Sequence, residues 1–291
     1  MFNFIVSENI FNMSLKDFLR REKNISLTGW RKIKRINMVY LNNTLVKPSL
    51  AKVNAGDKIS YEYDEVKLIP PCDIKLDICY EDEFLLVINK PAGMLVHPTV
   101  KNETDSLANA LSFYYQNNGL NYNFHPVHRL DKNTSGLLVI AKMPHIQNLF
   151  SLKGKNTIER IYQAVIIGKL RPKKGTIIAP IARKAGSIIE RRVDYQGKEA
   201  ITHYEILAEK NFNSLVELKL GTGRTHQLRV HLAHFNNPIL GDDLYGGASS
   251  FIQRQALHAK KIIFKHPITK EAIVIETSLP EDIAKVWENL V

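Results

Sequence analysis

Three runs of polar residues have the types and spacing to do chemistry. The first is His125-Pro-Val-His128-Arg129-Leu130-Asp131-Lys-Asn-Thr134-Ser135-Gly136, followed by the apolar stretch Leu137–Ala141. A carboxylate flanked by two polar clusters, on a loop that a rigid strand holds, is well placed to act as a nucleophile or base. Thr134 and Ser135 carry hydroxyls that can bond the loop backbone, and Gly136 permits a tight bend. A lone aspartate in such a place would more simply cap a turn, so Asp131 needs partners before it means more.

The second run is Gly221-Thr-Gly223-Arg224-Thr225-His226-Gln227-Leu228-Arg229-Val-His231-Leu-Ala-His234. Its glycines make a turn into a predicted helix over 225–235, on which His226, Arg229 and Val230 share a face. An inward arginine is costly unless a carboxylate pairs with it, and Asp131 is the candidate. His226, His231 and His234 lie close enough to raise the question of zinc. No H-E-x-x-H spacing occurs, and no Cys or Glu completes a set, so no metal is expected. The third run is Glu159-Arg160-Ile-Tyr162-Gln-Ala-Val. Tyr162 is a polar-tipped aromatic in an otherwise apolar strand, which is most often a sheet-face residue.

The elements that position these runs follow from the rest of the chain. Its 291 residues are 44% hydrophobic and 24% charged, as in ordinary globular proteins. Cys72 and Cys79 form neither a C-x-x-C pair nor a metal quartet, which points to a reducing compartment. No apolar run is long enough to suggest a membrane helix, and the N-terminus does not read as a secretory signal, so a cytoplasmic location is expected. The net charge of +11 favours a polyanionic partner, nucleic acid before anionic membrane.

The basic excess is uneven. Residues 1–64 hold 11 Lys+Arg against 6 Asp+Glu. Helices are predicted from Ser14 and from Gly29, the second ringed by Arg31, Lys32, Lys34 and Arg35 with Ile33 and Ile36 inward. Residues 65–72, with Pro70-Pro71, read as a linker. Residues 73–291 are strand-rich. Strands are predicted over 74–80, 84–89, 137–141, 158–167, 200–207, 214–220, 257–264 and 272–277, with helices over 107–115 and 280–290. Strands and helices do not alternate regularly. The predicted class is α+β, with a mixed, largely antiparallel sheet and a small N-terminal α/β domain.

Residues 1–64, with their basic helix pair followed by Val39-Tyr-Leu-Asn42 and Ala55-Gly-Asp-Lys-Ile59, resemble the small RNA-binding domain named after the fourth small-subunit ribosomal protein. Residues 73–278 resemble the RluA-type family of RNA pseudouridine synthases. Four runs match in the family's order. They are Asn89-Lys-Pro-Ala-Gly-Met-Leu-Val-His97-Pro98; His128-Arg-Leu-Asp131 with Thr134-Ser-Gly136; Gly223-Arg-Thr-His-Gln-Leu-Arg229-Val-His231 with Pro238-Ile-Leu-Gly-Asp242-Asp-Leu-Tyr245-Gly; and Leu257-His-Ala with Phe264-Lys-His-Pro267. Arg160 departs from the lysine that the family commonly carries, and keeps its charge.

The resemblance implies that Asp131 is the catalytic aspartate. It implies that Tyr162 stacks on the flipped uracil and transfers a proton, that Arg229 pairs with the aspartate, and that Arg129 holds the nucleotide out of the stack. His128, Arg224, His226 and Leu257 join Arg129 as expected substrate-binding residues, and Arg31, Lys32, Lys34 and Arg35 as expected RNA contacts. The expected function is isomerisation of uridine in structured RNA by a monomer, with large-subunit ribosomal RNA favoured over transfer RNA. The reaction is redox-neutral and adds no group, so no cofactor is expected. A carboxylate can attack ribose carbon 1′, attack ring carbon 6, or assist formation of a glycal, and all three routes are open. The competing readings are a non-catalytic RNA-binding or ribosome-assembly protein, against which the Asp131–Tyr162–Arg229 set speaks, and an aspartate-based glycosylase, for which no second acid is placed near Asp131.

Overall fold

The computed structural model describes residues 2–61, 69–99, 104–152 and 158–290. The expected end of the N-terminal unit at 62–64 and the linker residues 65–68 lie outside the described residues. Residues 69–72 are tied down: Ser112 Oγ donates to Ile69 O, Asn109 Nδ2 to Pro70 O, and Cys72 N to Asn109 O. They run along the helix Leu107–Asn117.

Among the described residues the N-terminal segment forms a four-stranded sheet in the order Phe2–Ile5, Lys58–Tyr61, Val39–Leu41, Thr44–Val46. Its basic helix is Leu27–Ile36, begun by Ser26, whose Oγ accepts the Gly29 N–H. Trp30 and Ile33 are buried with Leu15, Phe18 and Leu19, while Arg31, Lys34 and Arg35 face outward. Ile36, expected inward, and Lys32, expected outside, are both half-buried, so the inward face is centred on Trp30 and Ile33 and is shifted from the one that the spacing predicts.

The larger segment is built on a ten-stranded sheet. The order is Lys174–Ile178, Ile201–Lys210, Asn213–Leu220, Ile158–Ile167, Leu257–Lys265, Ser135–Ala141, Leu85–Lys90, Ile78–Glu81, with Ala272–Glu276 and His125–Pro126 added at the side. Among the described residues every pairing of this sheet is antiparallel except one. Ser135–Ala141 meets Leu257–Lys265 in parallel through Ser135↔His258 and Gly136↔Ala259. This is the mixed, largely antiparallel α+β architecture predicted from the sequence.

All seven residues of Ser135–Ala141 are buried, because both faces of the sheet are covered here. Leu138 and Ile140 pack with Leu111, Tyr115 and Ile283, from helices Leu107–Asn117 and Glu281–Asn289. Leu137, Val139 and Ala141 pack with Ile146 and Phe150 of the helix Pro144–Leu152, an element beyond those predicted from the sequence. A strand buried on both faces reads as a continuous apolar run. It makes a stiff base for the loop that carries Asp131.

Candidate active site

Asp131 lies in the turn that enters this strand, where the Thr134 N–H donates to Asp131 O. Each residue of the turn is held. Lys132 O accepts from Lys90 Nζ (3.0 Å) and Asn133 O from Arg254 Nη1 (3.2 Å). Thr134 Oγ1 accepts from Gln255 Nε2 (3.1 Å), and Ser135 Oγ bonds His258 Nδ1 (2.9 Å). The hydroxyls therefore engage side chains from across the sheet, not the loop backbone as expected. Gly136, at φ +115, lies inside the strand, and a Cβ there would fall 2.3 Å from Ala259 O. Its role is close approach rather than a bend.

Lys90 Nζ also donates to Pro91 O (2.7 Å) and Met94 O (2.9 Å), so its three donors meet three carbonyls. Burial, with Arg254 adding, pushes its pKa down to about 7. Arg254 bonds Asp282 through Nε (2.6 Å) and Nη2 (2.8 Å).

A pocket of about 340 Å³ opens over Asp131. It brings together all eight expected catalytic and substrate-binding residues: Asp131, Tyr162, Arg229, Arg129, His128, Arg224, His226 and Leu257. The expected RNA-contacting residues Arg31, Lys32, Lys34 and Arg35 lie elsewhere, on the helix Leu27–Ile36. Asp131 is the only carboxylate among the described residues that line the pocket.

Arg229 Nη1 stands 3.4 Å from Asp131 Oδ2. Its principal partner, however, is Asp242, which is fully buried and receives Nε at 2.7 Å and Nη2 at 2.8 Å. The expected Asp131–Arg229 contact is present, but it is the weaker of two: Asp242 holds the guanidinium with two shorter bonds, and Asp131 takes the remaining donor. Burial works against the charge on Arg229, but its bonds to Asp242 and the fields of Asp242 and Asp131 outweigh this, and its pKa rises. The guanidinium also sits over the Tyr245 ring, 5.0 Å from its centroid.

His226 approaches Asp131 from the other side, Nε2 to Oδ1 at 3.8 Å. It does not belong to the helix, which runs Gln227–His234; it sits before it in the left-handed region, at φ 56. Burial lowers its pKa, Asp131 opposes this, and Arg229 and Arg191 add to the lowering. Its Nδ1 bonds Tyr245 Oη at 2.8 Å. His231 is engaged elsewhere, with its ring nitrogens on Thr202 Oγ1 and Ala179 O.

Tyr162 is 4% exposed and lies opposite an irregularity in the neighbouring strand Leu257–Lys265. Ile161 pairs with Lys261 and Gln163 with His258, so Ala259 and Lys260 together stand opposite Tyr162. Such a bulge re-aims side chains beside a site. Burial raises the pKa of its phenol, Arg160 opposes this, and Asp131 adds to the rise, so the hydroxyl keeps its proton at neutral pH. His128 accepts the Val139 N–H on Nε2 (3.2 Å), leaving Nδ1 buried without a partner. Burial, reinforced by Arg160, pushes its pKa down to about 3, so this ring is a neutral part of the pocket floor. Arg224 donates from Nε to Glu199 O at 2.9 Å, while Arg129 is exposed at the mouth.

Sequence reasoning assigns no role to Lys90, Asp242, Tyr245 or Arg254. The first three lie inside the matched runs, so their presence was visible and their partners were not. Arg254 lies outside those runs.

A family model described as RNA pseudouridylate synthase matches residues 84–234. The chain is 42% identical over 277 residues to an uncharacterized RNA pseudouridine synthase of Bacillus subtilis, YhcT, covering 92% of this chain and 89% of that one. It is 39% identical to ribosomal large subunit pseudouridine synthase D of Buchnera aphidicola, covering 86% and 85%. Among solved structures it is similar to human RNA pseudouridylate synthase domain containing 4, with a TM-score of 0.60 and 26% identity over 74% of this chain and 92% of that one.

Proposed function

The chain belongs to the RNA pseudouridylate synthase family, of the RluA type, and from that premise we propose that Asp131 drives isomerisation of a uridine in ribosomal RNA. The observation that carries the assignment is that Asp131 is the one carboxylate among the described lining residues, faced by Arg229 and His226. In the reaction the bond from ribose carbon 1′ to ring nitrogen 1 breaks. A bond from carbon 1′ to carbon 5 forms, carbon 5 loses its proton, and nitrogen 1 gains one. Each of the three routes is open to the Asp131 carboxylate, and the Arg229 guanidinium stands 3.4 Å from it.

A base must leave the helical stack to reach this pocket, which costs a few kcal/mol. Stacking on Tyr162 returns about 1–3 kcal/mol. The protonated Tyr162 hydroxyl is then in place to move the proton, and Arg129, at the mouth, holds the displaced nucleotide. The naming of the Buchnera relative for the large ribosomal subunit supports ribosomal RNA over transfer RNA. Residues 1–64, with Arg31, Lys34 and Arg35 outward, act as an added RNA-binding domain, and Lys32 contributes from the half-buried side of the same helix. A monomer working in the cytoplasm without a cofactor fits this chemistry. Among the described residues no helix is long and apolar enough to cross a membrane.

Asp131→Asn tests the assignment. It is nearly isosteric and leaves the RNA surface intact. On RNA tritiated at uridine carbon 5 it should release no label while binding within a few-fold of wild type. Clear turnover by this variant would remove Asp131 from the chemistry.

A further inference from the structure

Tyr245 touches both residues that flank Asp131. Its hydroxyl lies 2.8 Å from His226 Nδ1, and its ring lies against the Arg229 guanidinium, 5.0 Å from centroid to Cζ. It ends the short turn Asp243–Tyr245, which follows Asp242, the residue that holds Arg229 through Nε and Nη2. Backbone bonds close this turn: Gly247 N donates to Asp242 O (2.7 Å) and Gly241 N to Gly247 O (2.6 Å). A Cβ on Gly247 would fall 1.8 Å from Ile239 O, so the chain is tightly packed there. One rigid turn therefore grips Arg229 twice, at its edge with Asp242 and on its face with Tyr245.

The hydroxyl also decides where the hydrogen of His226 lies. A phenol has one hydrogen to give. The Arg191 main-chain N–H donates to the Tyr245 oxygen (2.9 Å), so that bond uses a lone pair. Among the described residues the acceptor within reach of the phenol hydrogen is His226 Nδ1. Burial raises the Tyr245 pKa, against the Arg191 N–H and the Arg229 charge, so that hydrogen is present at neutral pH. Burial lowers the pKa of His226 despite Asp131, so the imidazole is neutral there. A neutral imidazole that accepts on Nδ1 carries its hydrogen on Nε2. That is the atom facing Asp131 Oδ1 at 3.8 Å.

We propose that Tyr245 is a positioning residue for the isomerisation: its hydroxyl fixes His226 with the hydrogen on Nε2, its ring fixes the Arg229 guanidinium, and Asp131 is thereby faced by one oriented donor on each oxygen. The inference rests on Asp131 being the reacting carboxylate. A neutral donor orients that carboxylate without the ion pair that a charged imidazole would form. At 3.4 Å from Arg229 and 3.8 Å from His226, neither contact ties Asp131 up. Contacts of this length at reacting groups tighten when substrate is bound.

The test uses the full chain with Tyr245→Phe, which keeps the ring and removes the hydroxyl, and Tyr245→Leu, which removes both. His226→Asn is the third variant, since asparagine tolerates the φ of 56 at that position. Single-turnover tritium release is measured on unmodified large-subunit ribosomal RNA transcripts over a range of protein concentration. For Tyr245→Phe the rate at saturation should fall about tenfold, because the reacting group is less well aimed. The concentration for half saturation should stay within about twofold of wild type. Tyr245→Leu should be slower still, as Arg229 loses its support. The double variant Tyr245→Phe/His226→Asn should react no more slowly than the slower single one, because the hydroxyl acts through His226. Nitrogen-15 NMR of the histidine rings reads the same point without RNA, the His226 signals being those lost in His226→Asn. Nδ1 should be without hydrogen in the wild type, and the two ring forms should mix in Tyr245→Phe. A wild-type rate for Tyr245→Phe would overturn the proposal. So would losses that multiply in the double variant, which would make the hydroxyl a support for the Arg191 N–H alone, or a wild-type Nδ1 that carries hydrogen. If the wild-type protein releases no label, it is the ribosomal-RNA reading that fails, and the ring signals still decide whether Tyr245 fixes His226.

Discussion

Arg229 shares its charge unequally between two carboxylates, and that asymmetry has measurable consequences. Asp242 is fully buried and holds it with two short bonds; Asp131 makes one long contact and is left free to react. Asp242→Asn turns an acceptor-only group into one whose NH₂ faces the guanidinium. Removing one partner of a buried pair costs about 3–5 kcal/mol. Urea unfolding should show that loss, and single-turnover rates should fall as Arg229 swings toward Asp131 and ties it up. Wild-type stability and rate would mean that Asp242 is incidental. Tyr162 calls for a different substitution from the obvious one. It belongs to the buried cluster with Leu218 and Leu257, so Tyr162→Ala would open a cavity costing about 3–5 kcal/mol and confuse folding with function. Tyr162→Phe keeps ring and packing. It should bind RNA as wild type does and react more slowly, because the proton that burial keeps on the phenol is gone. An unchanged rate would deny the hydroxyl a chemical part.

At the level of elements, the placement of Asp131 depends on one short parallel junction. Gly136 and Ala259 are paired there with no room for a Cβ. Gly136→Ala should cost at least about 1–3 kcal/mol from the backbone conformation alone. It should cost more from the overlap with Ala259 O, or else shift the turn that carries Asp131. A chemical-denaturation midpoint and a rate unchanged from wild type would show that the junction is not needed. The same strand shows what the sequence made legible. Leu137–Ala141 was readable because it is a local apolar run, Ile158–Ile167 because it ends in one over 164–167, and the hairpin at His266–Lys270 because its turn residues are contiguous. The strands Lys174–Ile178, Ile181–Arg183 and Arg191–Val193 were missed. They span three to five residues, too few for a period to emerge, and Gly175, Pro180 and Gly186 interrupt the region. The helix Pro144–Leu152 has Ile146, Leu149 and Phe150 at helical spacing with Pro144 at its first position, so a signal was present. His145, Gln147 and Asn148 between them blurred it. In the site, Asp131, Tyr162 and Arg229 lie in compact runs, and it is the family resemblance of those runs, more than residue type, that singles them out. The partners Asp242 of Arg229 and Asp282 of Arg254 could not be singled out, because pairing across the fold leaves no trace in local pattern.

Across the whole molecule, several histidines are held neutral, and their titration sets how the protein meets acid. Burial pushes His128 down to about 3, and His145 and His258 to about 4. The charges around them mostly act in the same direction: Arg160 on His128, His125 on His145, and Arg254 and Lys260 on His258, where Asp282 opposes. In the unfolded chain each takes up a proton near the ordinary histidine value of about 6.5. The unfolded state therefore binds more protons than the folded one below that pH. The stability involved is present in full above about 6.5 and is lost as pH falls toward 4, by up to about 1.4 kcal/mol per pH unit for each histidine. Asp82 and Asp282, whose pKa values are lowered in the fold, act with the same sign at still lower pH. The urea midpoint should accordingly fall steadily from pH 7 to pH 4.5. His258 is the most informative to replace, because it is 1% exposed and bridges Ser135 to Thr277. His258→Gln removes the titration while retaining hydrogen-bonding groups. It should be less stable than wild type at pH 7, and its midpoint should fall less steeply with acid, so the two curves converge near pH 4.5. Parallel curves would show that His258 takes up its proton in the folded state as readily as in the unfolded one, and that the acid sensitivity arises elsewhere.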